Sequence, residues 1–482
     1  MAGGDEAIAG YFVRQHLEGG QTRMRPIGRS PLKRRAANCR LRRQLTEATL
    51  CWKPVAATFG PPVPSFSAWD MNKPSMRGPC LAKCLFLSAP LVLPVSMTNA
   101  APDEPLCILA TSEMPSAWER WGVVPKSISE SPWSNAEKAD VAYALRKGLD
   151  ELETYYAQHP SAISQLGDDA AASFFEIGYG QKQLPEIKAI AQRRGERVLN
   201  QLIEPFLRKQ STVMACSDYA RLLPLALYAG RYFSPSDVRT VQIINRTNAA
   251  FRECGSLSRA VGFDYQQSFK TNHLTTEDVF NLVIWAIWFS EVPLMPSLDL
   301  PDEARHLPER LWAFLQTYQL LNANQYKNSA KSRQFYDNAY LATHIAYIPT
   351  GIHRYPIYRQ DFPGLYRFFR ENFYAVLNFG ELDLVAEFID SLKQYGCTEE
   401  NDVQVRDGTR YLLNLYHTAG DSWLAHRETR LSAAAIDPNS DDYYEMMHKV
   451  WTGMLGIRPR TPNPVEPDTY AAIIRSWLKT PQ

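Results

Sequence analysis

The chain has 482 residues, of which 45% are hydrophobic and 21% are charged, and its formal net charge is +1. This composition is typical of a folded globular protein and excludes a disordered or fibrous chain. A nearly neutral total also argues against a nucleic-acid-binding protein with a broad basic face. The charge is unevenly divided, because residues 1–101 contain 14 Lys and Arg against 5 Asp and Glu, whereas the rest contains 38 against 46.

Residues 71–100 show the three parts of a secretory signal peptide. Basic residues come first, the run 84–97 carries no charge, and small side chains follow up to Ala100. The run is too short to span a bilayer, which needs about 20 apolar residues. The sequence therefore predicts an exported protein, periplasmic or extracellular, with no membrane span in the mature chain.

Residues 1–70 precede this segment, although a signal peptide should be N-terminal. They are rich in Arg and lack a convincing apolar period. We therefore predict that they are an upstream extension outside the native protein, which would start at Met71 or Met76. The alternatives are a basic nucleic-acid-binding arm and an organelle transit peptide. Residues 101–482 are predicted to form a single all-α domain.

Removal of the leader leaves four cysteines, Cys107, Cys216, Cys254 and Cys397. An oxidising compartment permits two disulfide bonds, and four cysteines allow three connectivities. We favour Cys216 with Cys254, because each borders a helical segment of one predicted hairpin. The alternative is that both are buried free thiols.

From about residue 135 onward the sequence pattern is helical. Ser134 and Glu137 form a capping box, Pro185 is placed to open a helix, and Thr275 caps a segment that is apolar nearly all round and is predicted to be buried. Further helices are predicted at about 215–229, 235–253, 302–321, 328–347, 364–378, 383–395, 404–419, 440–455 and 467–479.

The sequence shows neither alternating strands nor a Gly-rich nucleotide loop. It also has no repeat of fixed period, which argues against a regular solenoid. About a dozen helices, several apolar on more than one face, favour an α/α toroid, in which helical hairpins close into a two-layer ring. An irregular helical array is the alternative. At the level of architecture alone the chain resembles the α/α-toroid proteins, many of which act on glycans.

The first candidate site lies on the predicted helix 328–347 and in the loop after it. Residues at helical spacing share one face, and Pro349 predicts that the helix ends near Tyr347. A helix end followed by a polar, aromatic loop would form the mouth of a cleft, although the same stripe also suits a buried hydrogen-bonded network. These residues of the helix and the loop are Asp337, Tyr340, His344, Tyr347, His353, Arg354 and Tyr355.

Two further constellations follow in the chain. Glu387 lies on a largely apolar helix, where a carboxylate is costly unless it is paired, and Asp383 one turn earlier is predicted to be the helix N-cap. His417, like His344, lies near a helix C-terminus and shares a side with Asn414. The two histidines and Glu387 would form a His/His/carboxylate set for a divalent metal, although their spacing matches no established motif.

Asp407 is predicted to cap the helix that carries His417. The other histidines considered, His306, His426 and His448, occur among charged residues and are predicted to lie on the surface.

These features support three hypotheses. The first is an exported enzyme that acts on a polysaccharide or cell-wall glycan by elimination or hydrolysis, with Tyr347 or Glu387 as the base and Arg354 binding an acidic group. The second is a metal-dependent exported enzyme, and the third is a non-catalytic envelope scaffold or binding protein. The catalytic candidates are His344, Tyr347, His353, Glu387 and His417. The substrate-binding candidates are Asp337, Tyr340, Arg354, Tyr355 and Asn414.

Overall fold

The computed structural model describes Cys107 and most of residues 131–460. The described ranges are 131–179, 181–209, 213–271, 274–292, 295, 297–299, 302–325, 333–351, 356–359, 361–424 and 443–460. Four predictions lie outside the described residues: the extension and signal peptide over 1–100, the helix at 467–479, the surface position of His426, and the loop candidates His353, Arg354 and Tyr355.

Within these ranges the chain forms helices and no strands, which confirms the all-α class for the part that the structure describes. None of these helices combines the length and the apolar character that crossing a bilayer requires. The helices are α1 (Asn135–Gln158), α2 (Pro160–Leu166), α3 (Asp168–Gly178), α4 (Pro185–Arg208), α5 (Tyr219–Tyr232), α6 (Val238–Cys254), α7 (Leu257–Val261), α8 (Tyr265–Thr271), α9 (Thr276–Glu291), α10 (Asp302–Leu315), α11 (Arg333–Thr350), α12 (Pro363–Phe379), α13 (Leu382–Gln394), α14 (Val403–Thr418) and α15 (Tyr443–Ile457).

The helix starts that rest on capping chemistry are confirmed. The Glu137 backbone N–H donates to Ser134 Oγ over 3.2 Å, and the Ser134 N–H donates to Glu137 Oε2 over 2.7 Å. Thr275 and Asp278 form the same reciprocal pair at the start of α9. In both places a side chain satisfies an N–H group that the first turn of a helix leaves without a partner.

Several predicted helix boundaries are wrong. Helix α6 starts at Val238 with Asp237 as its N-cap, rather than at Pro235. The N-cap of α14 is Asp402, whereas Asp407 is buried inside the helix and accepts a hydrogen bond from Tyr374 Oη over 2.7 Å.

Helix α11 also continues through Pro349 to Thr350. Proline disfavours helical backbone in the residue before it. Ile348 and Thr350 are nevertheless fully buried, so packing of the last turn outweighs this local preference.

Six helices follow one another in contact. Helix α3 packs on α5, α5 on α9, α9 on α11, α11 on α13 and α13 on α15, and α15 packs on α3. The other long helices pack on these six: α4 on α3 and α5, α6 on α5, α10 on α9, α12 on α13, α14 on α13 and α15, and α1 on α15. Every residue of α13 except Asp383 is buried, because this helix is covered by α11, α12, α14 and α15.

Helices α13 and α15 approach each other closely because a glycine lies at their contact. A Cβ atom added at Gly456 would lie 2.8 Å from the Cα atom of Ala386, closer than such atoms approach without a backbone shift. A side chain at this position would therefore push the two helices apart, and this contact sets the spacing of the polar residues that they carry.

Two disulfide bonds link distant parts of the chain. Cys216, just before α5, bonds to Cys254 at the end of α6, which is the pairing favoured from the sequence. Cys107 bonds to Cys397 after α13. The guanidinium of Arg370 lies against the second bond, with Nη2 at 2.8 Å from Cys107 Sγ and 2.6 Å from Asp402 Oδ2.

Candidate acid–base site

Helices α3, α11, α13 and α15 carry ionisable side chains that interact electrostatically with one another in the interior. We call these residues the polar cluster. Its members are Asp169 and Glu176 of α3, His344 and Tyr347 of α11, Asp383, Glu387 and Asp390 of α13, His448 of α15, and Arg458 and Arg460 after it.

Helix α13 presents three carboxylates to the cluster. Asp383, Glu387 and Asp390 are spaced four and three residues apart, so they lie on one face of the helix. Glu387 and Asp390 are buried. Burying a carboxylate is costly unless it is protonated, paired or hydrogen-bonded, and each of the three meets a different partner.

Glu387 meets Thr343 and His344 of α11. Thr343 Oγ1 lies 2.5 Å from Glu387 Oε2 and 2.7 Å from the carbonyl oxygen of Tyr340. A hydroxyl carries one hydrogen and cannot donate to both oxygens at once. The arrangement is satisfied when Glu387 is protonated and donates to Thr343, which in turn donates to Tyr340.

Electrostatics favours the same protonated form. Burial raises the pKa of Glu387 well above its ordinary value, and the nearby carboxylates of Asp383, Asp390 and Glu176 raise it further. A hydrogen bond from Thr343 to the ionised carboxylate would act to lower this pKa, but it does not outweigh burial. Glu387 is therefore suited to give up a proton, as a general acid does.

His344 is neutral in this environment. Burial lowers its pKa to about 4, although the bond to Tyr340 and the charge of Asp383 act the other way. Its Nδ1 lies 3.0 Å from the carbonyl oxygen of Tyr340 and 3.8 Å from Glu387 Oε2. Because a carbonyl oxygen only accepts, Nδ1 carries the hydrogen in the neutral ring, and Nε2 carries the lone pair that can take up a proton.

The pKa of His448 is shifted in the opposite direction to that of His344. Burial alone would lower its pKa, but Asp383, whose Oδ1 lies 3.3 Å from His448 Nδ1, and the carboxylates of Asp169 and Glu176 outweigh burial and raise it. The prediction that His448 lies on the surface is wrong, since its side chain is only 13% exposed. Asp383 pairs with it, and Glu381 takes the N-cap position that was predicted for Asp383.

The side chains differ in their access to solvent. Those of His448 and Asp383 are 13% and 17% exposed, whereas that of Glu387 is 5% exposed. Among these three, the Asp383–His448 pair is therefore the part of the cluster that solvent reaches most.

The opposite part of the cluster is closed by ion pairs. Arg458 Nη2 lies 2.9 Å from Asp390 Oδ1, Arg460 Nη1 lies 3.8 Å from Asp390 Oδ2, and Gln394 donates to Asp390 over 2.8 Å. Burial lowers the pKa of Arg460 to about 10. Burial raises the pKa of Tyr347 well above its ordinary value. Its hydroxyl therefore keeps its proton and is poorly suited to act as a base.

Aromatic rings enclose the His344 side of the cluster. The His344 ring centroid lies 4.5 Å from that of Tyr340 and 4.8 Å from that of Phe280 on α9. Tyr336 stacks on Tyr340 at 5.8 Å. Asp337, predicted to bind substrate with Tyr340, is half-buried on the same helix.

The structure does not bring His417 to this cluster. His417 is exposed on α14, where its Nε2 lies 2.8 Å from Asp140 Oδ2 of α1 and its Nδ1 lies 2.6 Å from Asp421 Oδ1. We call these three residues the surface bridge. Asn414, one turn before His417, is half-buried.

The metal set expected from the sequence does not assemble. In the described ranges, the one group of three potential ligands within 4.8 Å of one another is Cys107, Cys397 and Asp402, and the two sulfurs of that group are bonded to each other. The His344, Glu387 and His417 side chains form no such group.

Sequence reasoning missed six members of the polar cluster, Asp169, Glu176, Asp390, His448, Arg458 and Arg460, as well as Thr343, which contacts Glu387. One signal was available for Glu176, which is a single carboxylate in the apolar segment 170–178 and accepts a hydrogen bond from Trp451 Nε1 over 3.1 Å. A single carboxylate among apolar residues is also the feature that made Glu387 a candidate. Thr343 and His448 carry no local signal, because their roles come from helices that are distant in sequence.

Comparison of the chain with protein-family models, with curated proteins and with solved structures finds no match in any of the three. The geometry of the polar cluster is therefore the basis for inferring a function.

Proposed function

We propose that the protein is an enzyme that acts on a polysaccharide or cell-wall glycan by acid–base chemistry at the polar cluster, through elimination or hydrolysis. One observation carries this proposal: in one cluster His344 lies 3.8 Å from Glu387 and His448 lies 3.3 Å from Asp383, and these surroundings lower the pKa of His344 and raise that of His448. Environments that separate the pKa values of neighbouring groups are typical of acid–base sites.

The catalytic role of each residue follows from the direction in which its pKa is shifted. His344 Nε2 accepts a proton, and Glu387 or His448 donates one. In an elimination, the base removes the proton from the carbon beside a carboxylate, the bond to the glycosidic oxygen breaks as a carbon–carbon double bond forms, and the departing oxygen takes a proton from the acid. In a hydrolysis, the base instead removes a proton from the attacking water.

The order of helix contacts supports an α/α toroid as the frame for this site. Six helices contact one another in sequence, the last of them contacts the first, and the other long helices pack on them. A toroid would place the polar cluster along the axis of its inner layer. Ligand sites of helical proteins commonly lie between helices in this way.

Export remains part of the proposal. Two disulfide bonds, Cys107–Cys397 and Cys216–Cys254, support an oxidising compartment, since such bonds are rare in reducing cytosol. The signal peptide predicted over 71–100 agrees with this location.

The test is turnover by the purified chain of a panel of polyuronates, chitin-type glycans and peptidoglycan. Elimination is read from the absorbance of the new double bond, and hydrolysis from new reducing ends without that absorbance. We expect His448→Asn, Glu387→Gln and His344→Gln to lower kcat by about 100-fold or more, the usual contribution of a general acid or base.

His417→Asn is the matched control and should stay within about twofold of wild type. Each variant is checked for folding by its circular dichroism and its Tm. The absence of turnover on every glycan, or full activity of the His448 and Glu387 variants, would overturn the proposal and favour the scaffold alternative.

A further inference from the structure

A second feature of the molecule is a cavity of about 400 Å³, open to solvent, between α3, α4, α5 and the end of α9. This volume falls within the range of small-molecule sites in proteins. The polar and aromatic residues of its lining are Phe175, Tyr179, Lys188, Gln192, Arg231 and Glu291.

An ion pair and an amide line this cavity. Arg231 Nη2 pairs with Glu291 Oε2, and the two side chains are 8% and 2% exposed. The guanidinium carbon of Arg231 lies 4.9 Å from the centre of the Phe175 ring, so packing also fixes the arginine. Gln192 is held by a 2.7 Å hydrogen bond from its Nε2 to Glu196 Oε1.

Tyr179 supplies a flat apolar surface at the same cavity. Its ring is half-buried and stacks on Phe175, with 5.2 Å between the centroids and 27° between the planes. A stacked pair of this kind holds the ring in one orientation.

These groups fit a sugar residue. Each sugar hydroxyl both donates and accepts hydrogen bonds, so a donor such as Arg231 beside an acceptor such as Glu291 serves neighbouring hydroxyls together. The C–H face of the sugar ring suits the ring of Tyr179. A lipid chain would offer this ion pair no hydrogen-bonding groups.

We propose that this cavity binds one sugar residue of the glycan substrate, an inference that rests on the proposed function. Helix α3 connects the two places, since Phe175 and Tyr179 border the cavity while Asp169 and Glu176 belong to the polar cluster. Tyr179 also lies within electrostatic reach of Arg460, which faces Asp390 of the cluster. A glycan chain would thus be held at one residue and cleaved at another.

The experiment measures binding to the full chain by isothermal titration calorimetry with three probes: cellotetraose, chitotetraose and tetragalacturonate. We expect at least one probe to bind the wild type and Tyr179→Ala to weaken that binding by about tenfold, as the loss of an aromatic contact implies. Gln192→Ala should weaken it less. Tyr143→Ala, which removes an exposed tyrosine of α1, is the matched control and should leave Kd within about twofold.

The outcomes separate this inference from the proposed function. His448→Asn should retain the binding while losing turnover. If the wild type turns over a glycan and Tyr179→Ala changes neither Kd nor KM, the cavity is not a sugar site. If none of the three probes binds, the inference also fails. If a probe binds in a Tyr179-dependent way but no glycan is turned over, the proposed function fails and the sugar site stands.

Discussion

His344 of the polar cluster and His417 of the surface bridge both lie beside carboxylates, yet their surroundings shift their pKa values in opposite directions. The His344 side chain is 10% exposed and its pKa is lowered to about 4. The His417 side chain is 42% exposed. Its slight burial acts to lower its pKa, but hydrogen bonds to Asp140 and Asp421 outweigh this and raise it.

The difference shows how burial decides what a carboxylate does for a histidine. The Asp140 and Asp421 side chains are 32% and 47% exposed, and their hydrogen bonds to the ring stabilise the charged form of His417. Glu387 is buried beside His344, and its own pKa is raised, so it offers little negative charge to compensate the desolvation of the ring. Two histidines predicted to lie near helix C-termini therefore have pKa values shifted in opposite directions.

The largest loss of stability is expected when the buried Asp390–Arg458 ion pair is broken. Asp390→Ala would leave Arg458 charged and unpaired in the interior, which costs about 3–5 kcal/mol of stability. Urea unfolding at neutral pH measures this loss. Glu204→Ala, which breaks the exposed Arg208–Glu204 pair, is the control, and exposed pairs are worth less than about 1 kcal/mol. Equal losses of stability in both variants would show that the buried ion pair contributes no more than the exposed one.

A smaller effect is expected from acid at His344. A histidine in the unfolded chain binds a proton near pH 6.5, whereas His344 in the folded protein binds one only near pH 4. The unfolded state thus binds more protons within this window, and His344 costs the fold about 3 kcal/mol as the pH falls from 6.5 to 4. The free energy of unfolding of wild type relative to His344→Gln should decrease over this range. A difference that does not change with pH would contradict the lowered pKa.

The smallest effect on the free energy of unfolding is expected at the surface bridge. Its dependence on pH has the opposite sign to that of His344. A raised pKa stabilises the fold below pH 6.5, and this contribution is lost as the pH rises through the pKa of His417. Solvent screens the bridge, so its contribution stays below about 1 kcal/mol. The difference between wild type and His417→Asn should be largest at acid pH and should shrink in 1 M salt. A difference that grows with pH would show that His417 is not held by Asp140 and Asp421.

Local chemistry made part of the fold predictable. The capping boxes at Ser134 and Thr275 located two helix starts, because the residues that satisfy the first N–H groups are adjacent in sequence. The stop at Pro349 was wrong, since the burial of Ile348 and Thr350 is a tertiary effect. The apolar neighbours of Glu387 predicted that it needs a partner, and the structure places it beside Thr343 and His344.

The sequence by itself determined that the described part of this protein is helical and where several of its helices begin. It also indicated that the side chains of Glu387 and His344 would need polar partners. Only the tertiary structure decided that these two residues meet each other, that His448 joins them and that His417 does not. The physical reason is that helix formation depends on residues a few positions apart. Burial and pairing of charges depend instead on which helices pack together, as α13 and α15 do at Gly456.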